Sequence, residues 1–368
     1  MQNSMIYLIA GARPNFMKIA PIVRALRARS ERFRFRVVHT GQHYDREMSD
    51  VFFEELGIPK PDFHLEAGGG SHAEQTAKIM VAFERVCREA PPDHVMVVGD
   101  VNSTLACSIA AKKLGITVSH VEAGLRSFDR RMPEEINRVV TDAISDWFFC
   151  TEQSGVDHLL HEGKPQDAIF FVGHVMVDTL FYERAKLEAS AGKGLASARL
   201  KQRLGRYGVV TLHRPSNVDE PKALGRLVSA LREIAEDLPL VFPAHPRTRA
   251  NLLRFGIELG GNLVVTEPLG YVDFLNLWRD AALVLTDSGG LQEETTALGV
   301  PCLTLRENTE RPITVSEGTN TVVGTDPARI VTEAKRVLSG QAKTGRVPHL
   351  WDGKAAIRIV DHLDRLVR

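Results

Sequence analysis

The chain has 368 residues, 43% of them hydrophobic and 25% charged, the make-up of a soluble globular protein too long for one ordinary core. Lys plus Arg and Asp plus Glu balance at 46 each, which excludes the basic surplus needed to bind a nucleic-acid backbone or an acidic membrane surface. No segment reaches the roughly 20 apolar residues of a membrane helix, so neither nucleic acid nor membrane is expected as a partner.

The N-terminal stretch MQNSMIYLIAGARPN has only a short apolar run before Gly11 and Arg13. It reads as a first strand and not a secretory signal, and the expected location is the cytoplasm. Cys87, Cys107, Cys150 and Cys302 form no CxxC pair and are expected as reduced, buried thiols. No metal is expected.

Short β-branched runs then alternate with longer amphipathic stretches, the pattern of parallel sheets covered by helices. The first half predicts strands over 5–10, 36–40, 94–98, 117–121, 147–150 and 169–172. The second half predicts them over 209–212, 240–243, 263–266, 283–286, 302–305 and 321–323. Helical periodicity fills the intervals, as over 16–28, 73–87 and 221–235. Two such runs imply an α/β protein of two Rossmann-like domains, residues 1–175 and 176–352, joined through a hinge and helix near 173–191. An eight-stranded barrel fits the strand count less well.

Ligands of open α/β sheets sit at the carboxyl ends of the strands, and here those ends are polar. Strand one leads into Arg13, Pro14 and Asn15, with Lys18 expected in the first turn of the next helix. Two cations beside a helix start suit an anion, although each alone is equally explained as a surface charge. Asp100 follows the strand 94–98 and is either a cap of the next helix or a site carboxylate. Glu122 follows 117–121, and strand alternation puts it on the same side as His120; packing explains a Glu there poorly. Glu134 is either one more carboxylate of the site or an ion-pair partner of Arg138 one helical turn away.

In the second half, 209–212 delivers His213 and Arg214, and 240–243 delivers His245. The sharpest local signal is the strand that runs into Asp287, Ser288, Gly289 and Gly290 and then a helix. Glycines let the backbone approach a phosphate, and the free N–H groups of the helix start bind it. Glu294, one turn from Gly290, lies within reach of an attached ribose. A diphosphate site is expected here. The stretch 68–73 formally matches GxGxxA, but it follows a poor strand and is not the first βα turn, so no dinucleotide cofactor is expected.

Taken together, GARPNFMK (11–18), TGQH (40–43), GD (99–100), HVEAGLRS (120–127), PEEINR (133–138), TLHR (211–214), TDSGGLQEE (286–294), ERP (310–312) and DGKA (352–355) resemble the non-hydrolysing UDP-N-acetylglucosamine 2-epimerases of the GT-B fold. The motifs run in family order along nearly the whole chain. The resemblance implies two Rossmann-like domains facing across a cleft, with a last helix over 353–368 returning to the first domain, and a homodimer. It also implies a UDP-sugar substrate, with Arg13, His213, Ser288, Gly289, Gly290 and Arg311 at the phosphates, Glu294 at the ribose, and Leu269 and Phe274 near the uracil. Lys18, Asp100, Glu122, Glu134 and His213 match the family's catalytic positions, and Gln42 and His43 a region that holds a second, activating UDP-sugar in some bacterial members. The chain departs from many members at Asn15, at Pro215–Asn217 and in the loop 68–70.

The chemistry calls for such a set. C1 of the sugar is an acetal carbon, so the C2 hydrogen is not acidic, and without a nicotinamide site the remaining route is loss of UDP coupled to removal of that proton. Cations and helix-start N–H groups would receive the diphosphate, and crowded carboxylates would supply an acid and a base near neutrality. A related UDP-acetamido sugar, a hydrolysing 2-epimerase, a GT-B glycosyltransferase and a non-catalytic UDP-sugar sensor are the alternatives.

Overall fold

The first strand, β1 (Ser4–Ala10), is apolar at nearly every position and buried on both faces, as a parallel strand covered by helices must be. In the computed structural model, which describes residues 3–41, 53 and 55–367, two compact units divide the chain. One is Met1–Thr179 with His349–Arg368; the other is Leu180–Pro348.

The first unit runs β1, α1 (Arg13–Arg27), β2 (Phe33–His39), β3 (Phe63–His64), α2 (His72–Glu89), β4 (His94–Val98), α3 (Asn102–Lys113), β5 (Thr117–Val121), α4 (Pro133–Ile144), β6 (Trp147–Cys150), α5 (Gln153–His161) and β7 (Ile169–Phe171). Helix α6 (Val175–Ser190) follows and carries the chain across the unit boundary. The sheet is parallel, in the order β3-β2-β1-β4-β5-β6-β7. Strand β3 was not anticipated because two residues make no β-branched run. Tyr7, Ile9, Val95 and Val97 pack there against Ile79 and Phe83 of α2 and Ala106 and Cys107 of α3. Truncating a buried ring such as Phe83 to Ala would cost about 3–5 kcal/mol.

The second unit runs α7 (Ala196–Leu204), β8 (Gly208–Thr211), α8 (Pro215–Val218), α9 (Pro221–Asp237), β9 (Leu240–Pro243), α10 (Pro246–Arg254), β10 (Leu263–Thr266), α11 (Tyr271–Trp278), β11 (Leu283–Thr286), α12 (Gly289–Leu298), β12 (Cys302–Thr304), α13 (Pro312–Ser316), β13 (Asn320–Val322) and α14 (Pro327–Leu338). Its sheet is also parallel, β10-β9-β8-β11-β12-β13. Phe242 and Leu285 meet Leu231 and Ile234 of α9 and Ile330 of α14 in its core.

The last helix, α15 (Ala355–Leu366), belongs to the first unit. Asp178 of α6 accepts from the Ala355 and Ala356 N–H groups at 3.0 and 2.7 Å, capping the helix from outside its own segment. Burial pushes that carboxyl up to about 6. Arg29 and Arg32 beyond α1 hold Asp361 and Asp364 of α15 at 2.6 and 2.7 Å.

In each sheet the strand order reverses at one point, between β1 and β4 and between β8 and β11. Connections leave in opposite directions there and open a crevice at the carboxyl ends, where α/β sheets bind ligands.

Candidate functional site

At the first switch point, Asn15 ties the two strand ends together. Its Oδ1 accepts from the Ala12 N–H at 2.9 Å, and its Nδ2 donates to the Val98 carbonyl at 3.0 Å. The helix that follows β1 begins at Arg13, earlier than its periodicity suggests, so Lys18 lies in the second turn and not the first. Arg13 opens the helix, but its side chain is outside the described part of the structure. Gln42 and His43 also lie outside the described residues.

Lys18 reaches back under β4 and donates to Glu122 Oε2 at 2.6 Å. Both side chains are buried. Gly99 makes room for this: its φ is +69°, and a Cβ there would stand 2.7 Å from Lys18 Nζ. Glu122 follows the last residue of β5 with φ +73°, a left-handed backbone that costs a non-glycine residue about 1–3 kcal/mol. Its Oε1 is buried with no hydrogen-bond partner among the described residues. Strand alternation therefore stops before residue 122. His120 does not share a face with Glu122 but is sealed between Asp142, 2.6 Å from Nδ1, and the Gly99 carbonyl, 2.8 Å from Nε2.

Asp100 leaves β4 as a partly exposed carboxylate and accepts from Arg138 at 3.0 and 2.6 Å. The other edge of that guanidinium holds Glu135 at 2.9 Å. Both edges being taken, no Glu134–Arg138 pair forms. Glu134 is exposed on α4 and makes no ion pair among the described residues, whereas Glu135 is buried. Glu135 also accepts from the Ser127 N–H, the Ser127 hydroxyl and the Phe128 N–H. Burial alone would raise its carboxyl; these donors and Arg138 hold it below the usual carboxylate range.

At the second switch point, β8 ends before His213, whose Nδ1 lies 2.8 Å from Oδ1 of the fully buried Asp287. Asp287 also accepts from the Arg214 N–H at 2.9 Å and Asn217 at 3.2 Å. Burial would raise its carboxyl, but His213 and the backbone N–H groups hold it low. His213 is nearly half exposed, 45%, so the ring is anchored on one side and open on the other. Ser288 is the N-cap of α12 without a side-chain cap bond, and Gly289 and Gly290 form the helix's first turn. A Cβ on Gly289 would meet nothing nearer than Glu310 Oε2 at 4.0 Å, so this helix start has space for an anion.

Glu294 is buried and accepts from the Tyr271 hydroxyl at 2.9 Å, while Arg311 pairs with Glu293 at 2.6 Å. Leu269 lines a cavity of about 410 Å³ with Leu200, Thr266, Arg199 and Arg203. Phe274 is half-buried on α11 and is not among the residues around that cavity. All four cysteines are buried, and burial pushes the Cys87 and Cys302 thiols up to about 12. Among the described residues no three His, Cys, Asp or Glu side chains are grouped to hold a metal ion, and no helix is long and apolar enough to cross a membrane.

Sequence reasoning missed Asn15 as a tie between strands, Glu135, the His120–Asp142 pair and Asp287 as the anchor of His213. Asn15, His120 and Glu135 stand in the quoted stretches 11–18, 120–127 and 133–138, and Asp287 directly precedes Ser-Gly-Gly, but only the fold shows which groups they hold; Asp142 carried no signal. The residue 68–71 loop resolves to a capping box: Ser71 and Glu74 exchange bonds at the start of α2.

These features define an α/β protein of two Rossmann-like units, each carrying polar side chains at the switch point of its parallel sheet. The profile of the family described as UDP-N-acetylglucosamine 2-epimerase matches residues 24–364. A UDP-N-acetylglucosamine 2-epimerase of Methanocaldococcus jannaschii is 42% identical over 359 residues, 96% of this chain and 97% of that one. A UDP-2,3-diacetamido-2,3-dideoxy-D-glucuronate 2-epimerase of Pseudomonas aeruginosa is 41% identical over 365 residues, 98% of this chain and 99% of that one. The crystal structure of the M. jannaschii UDP-GlcNAc 2-epimerase with UDP-GlcNAc and UDP superposes with a TM-score of 0.84 at 40% identity, covering 98% of this chain and 99% of that chain. The chain belongs to the UDP-N-acetylglucosamine 2-epimerase family and is an isomerase.

Proposed function

We propose that the chain reversibly interconverts UDP-N-acetylglucosamine and UDP-N-acetylmannosamine by anti elimination of UDP and its re-addition to a 2-acetamidoglucal. A base takes the C2 proton as the C1–O bond to UDP breaks, leaving a 2-acetamidoglucal. UDP then returns to C1 while an acid delivers a proton to the opposite face of C2. Atoms and charge balance without an oxidant or cofactor.

Lys18, Asp100, Glu122, Glu134 and His213 are the acid–base and charge-stabilising groups of this reading. Ser288, Gly289, Gly290, Arg13 and Arg311 receive the diphosphate, Glu294 the ribose, and Leu269 and Phe274 the uracil. Gln42 and His43 hold a second UDP-sugar, and the working form is a homodimer. The observation that carries the reading is Glu122: a left-handed, buried carboxylate with one oxygen on Lys18 and the other without a hydrogen-bond partner among the described residues. Two local costs at one residue point to a role in chemistry.

A second reading, a UDP-2,3-diacetamido uronate as substrate, is favoured by the P. aeruginosa relative at 41% identity. Incubation with each sugar nucleotide alone tests both. Reversible C2 interconversion of the N-acetylhexosamine supports the first, turnover of the uronate alone the second, and net UDP release a hydrolase.

A further inference from the structure

His120 is fully buried, and both ring nitrogens face oxygen. The Gly99 carbonyl, 2.8 Å from Nε2, can only accept, so Nε2 carries a proton. Asp142, 2.6 Å from Nδ1, is engaged as a carboxylate. Its second oxygen accepts from the Gly124 N–H at 3.0 Å and pairs with Arg126 at 2.7 Å. Nδ1 therefore donates as well. Arg126 continues to Glu162 at 2.7 Å, whose side chain is 36% exposed, so a chain of alternating acids and bases runs from the buried His120–Asp142 pair out to the surface.

The anchored backbone is what matters for the site. Gly99 immediately precedes Asp100, and residues 120, 124 and 126 bracket Glu122 in its left-handed turn. We infer that His120 and Asp142 are positioning residues: a ring protonated on both nitrogens links the end of β4 to the loop after β5 and sets Asp100 and Glu122 in register. A ring with a single N–H would release either the Gly99 carbonyl or Asp142, freeing one carboxylate's backbone. The inference rests on the acid–base reading of Asp100 and Glu122 given above.

Long-range ¹⁵N–¹H spectra of protein labelled at its histidine rings test the protonation directly, without turnover. At neutral pH both His120 nitrogens are expected in the protonated range; one unprotonated nitrogen overturns the inference. Kinetics test the positioning. His120→Gln, which can supply one donor arm only, is expected to lower kcat about 100-fold with KM and UDP affinity near wild type. A folded His120→Gln enzyme within about threefold of wild-type kcat overturns it. Should that variant fail to fold, Asp142→Asn takes its place in the kinetic arm with the same two outcomes, and the wild-type spectrum decides the protonation. A wild type with no epimerase activity would sink the carboxylate reading, while the spectrum would still decide the ring.

Discussion

Lys18 Nζ lies 2.6 Å from Glu122 Oε2, with the two side chains only 8% and 5% exposed, and the second Glu122 oxygen has no partner among the described residues. The pair is thus half-satisfied, and its stability and its chemistry can be separated. Lys18→Met leaves a buried carboxylate uncompensated and should cost about 3–5 kcal/mol in denaturant unfolding. Glu122→Gln should lower turnover about 100-fold or more. The double variant Lys18→Met, Glu122→Gln removes both charges and should recover most of the stability but none of the turnover. Recovered turnover would assign the pair a purely structural role.

Glu134 and Glu135 adjoin in sequence and differ wholly in setting. Glu134→Gln should leave unfolding unchanged, because the side chain is exposed, and lower kcat about 100-fold if it exchanges protons with substrate. Glu135→Gln should instead lower the melting temperature, since four donors lose a charged acceptor worth about 1.5–3 kcal/mol per bond. A fully active Glu134→Gln enzyme would return that residue to a solvated surface position.

Asp287 receives His213 on one side and the Arg214 N–H on the other, so it sets the ring's orientation. Asp287→Asn should lower kcat/KM by roughly 10- to 100-fold, about 1.5–3 kcal/mol for one charged hydrogen bond. UDP titration calorimetry locates the loss: weaker UDP binding puts His213 at the diphosphate, and unchanged binding puts it at the proton transfer.

Strands such as Leu283–Thr286 were legible because a buried parallel strand needs an unbroken apolar run, and the residues at their ends followed once the strands were placed. The two-residue β3 carries no such run. The turn at Glu122 was illegible because a left-handed backbone normally advertises itself with glycine, and here the neighbouring fold imposes it on a carboxylate. Spacing offered Glu134 either as a site carboxylate or as the partner of Arg138, and in the fold Asp100, from another strand end, takes one edge of the guanidinium. Local periodicity sees one helix at a time, and the partners of a buried charge come from several.

The pH dependence of stability has an identifiable contributor in His94, fully buried between the Thr117 and Ser119 hydroxyls at 2.9 and 2.7 Å. Burial lowers its pKa from 6.5 to about 3. A histidine depressed in the fold is protonated first in the unfolded chain. Its stabilising contribution is therefore full above pH 6.5 and is lost as pH falls toward 3, at up to about 1.4 kcal/mol per pH unit. Asp178, raised from 3.8 to about 6, acts with the opposite sign, since its protonated form is favoured in the fold. Comparing wild type with His94→Gln cancels that term. The variant should be less stable at neutral pH but lose stability less steeply on acidification; parallel curves would remove His94 from the account.

The mechanism is tested at a single hydrogen. If a side chain removes the C2 proton and a side chain in exchange with water returns one, turnover in heavy water must place deuterium at C2 of the epimer. If the reaction is also reversible, as proposed, both stereoisomers must acquire it, because the returning proton then comes from exchanging groups in either direction. On the proposed route a bound glycal can escape before UDP returns, so small amounts of UDP and 2-acetamidoglucal should accumulate with long incubation. Added NAD should change nothing, since no step of the proposed route moves a hydride. A route through oxidation at C3 would need nicotinamide and would loosen the C2 hydrogen only through the neighbouring ketone. Deuterium at C2 together with glycal release therefore distinguishes elimination from oxidation, and epimer formed with its original C2 hydrogen would exclude elimination even though the chain is an epimerase.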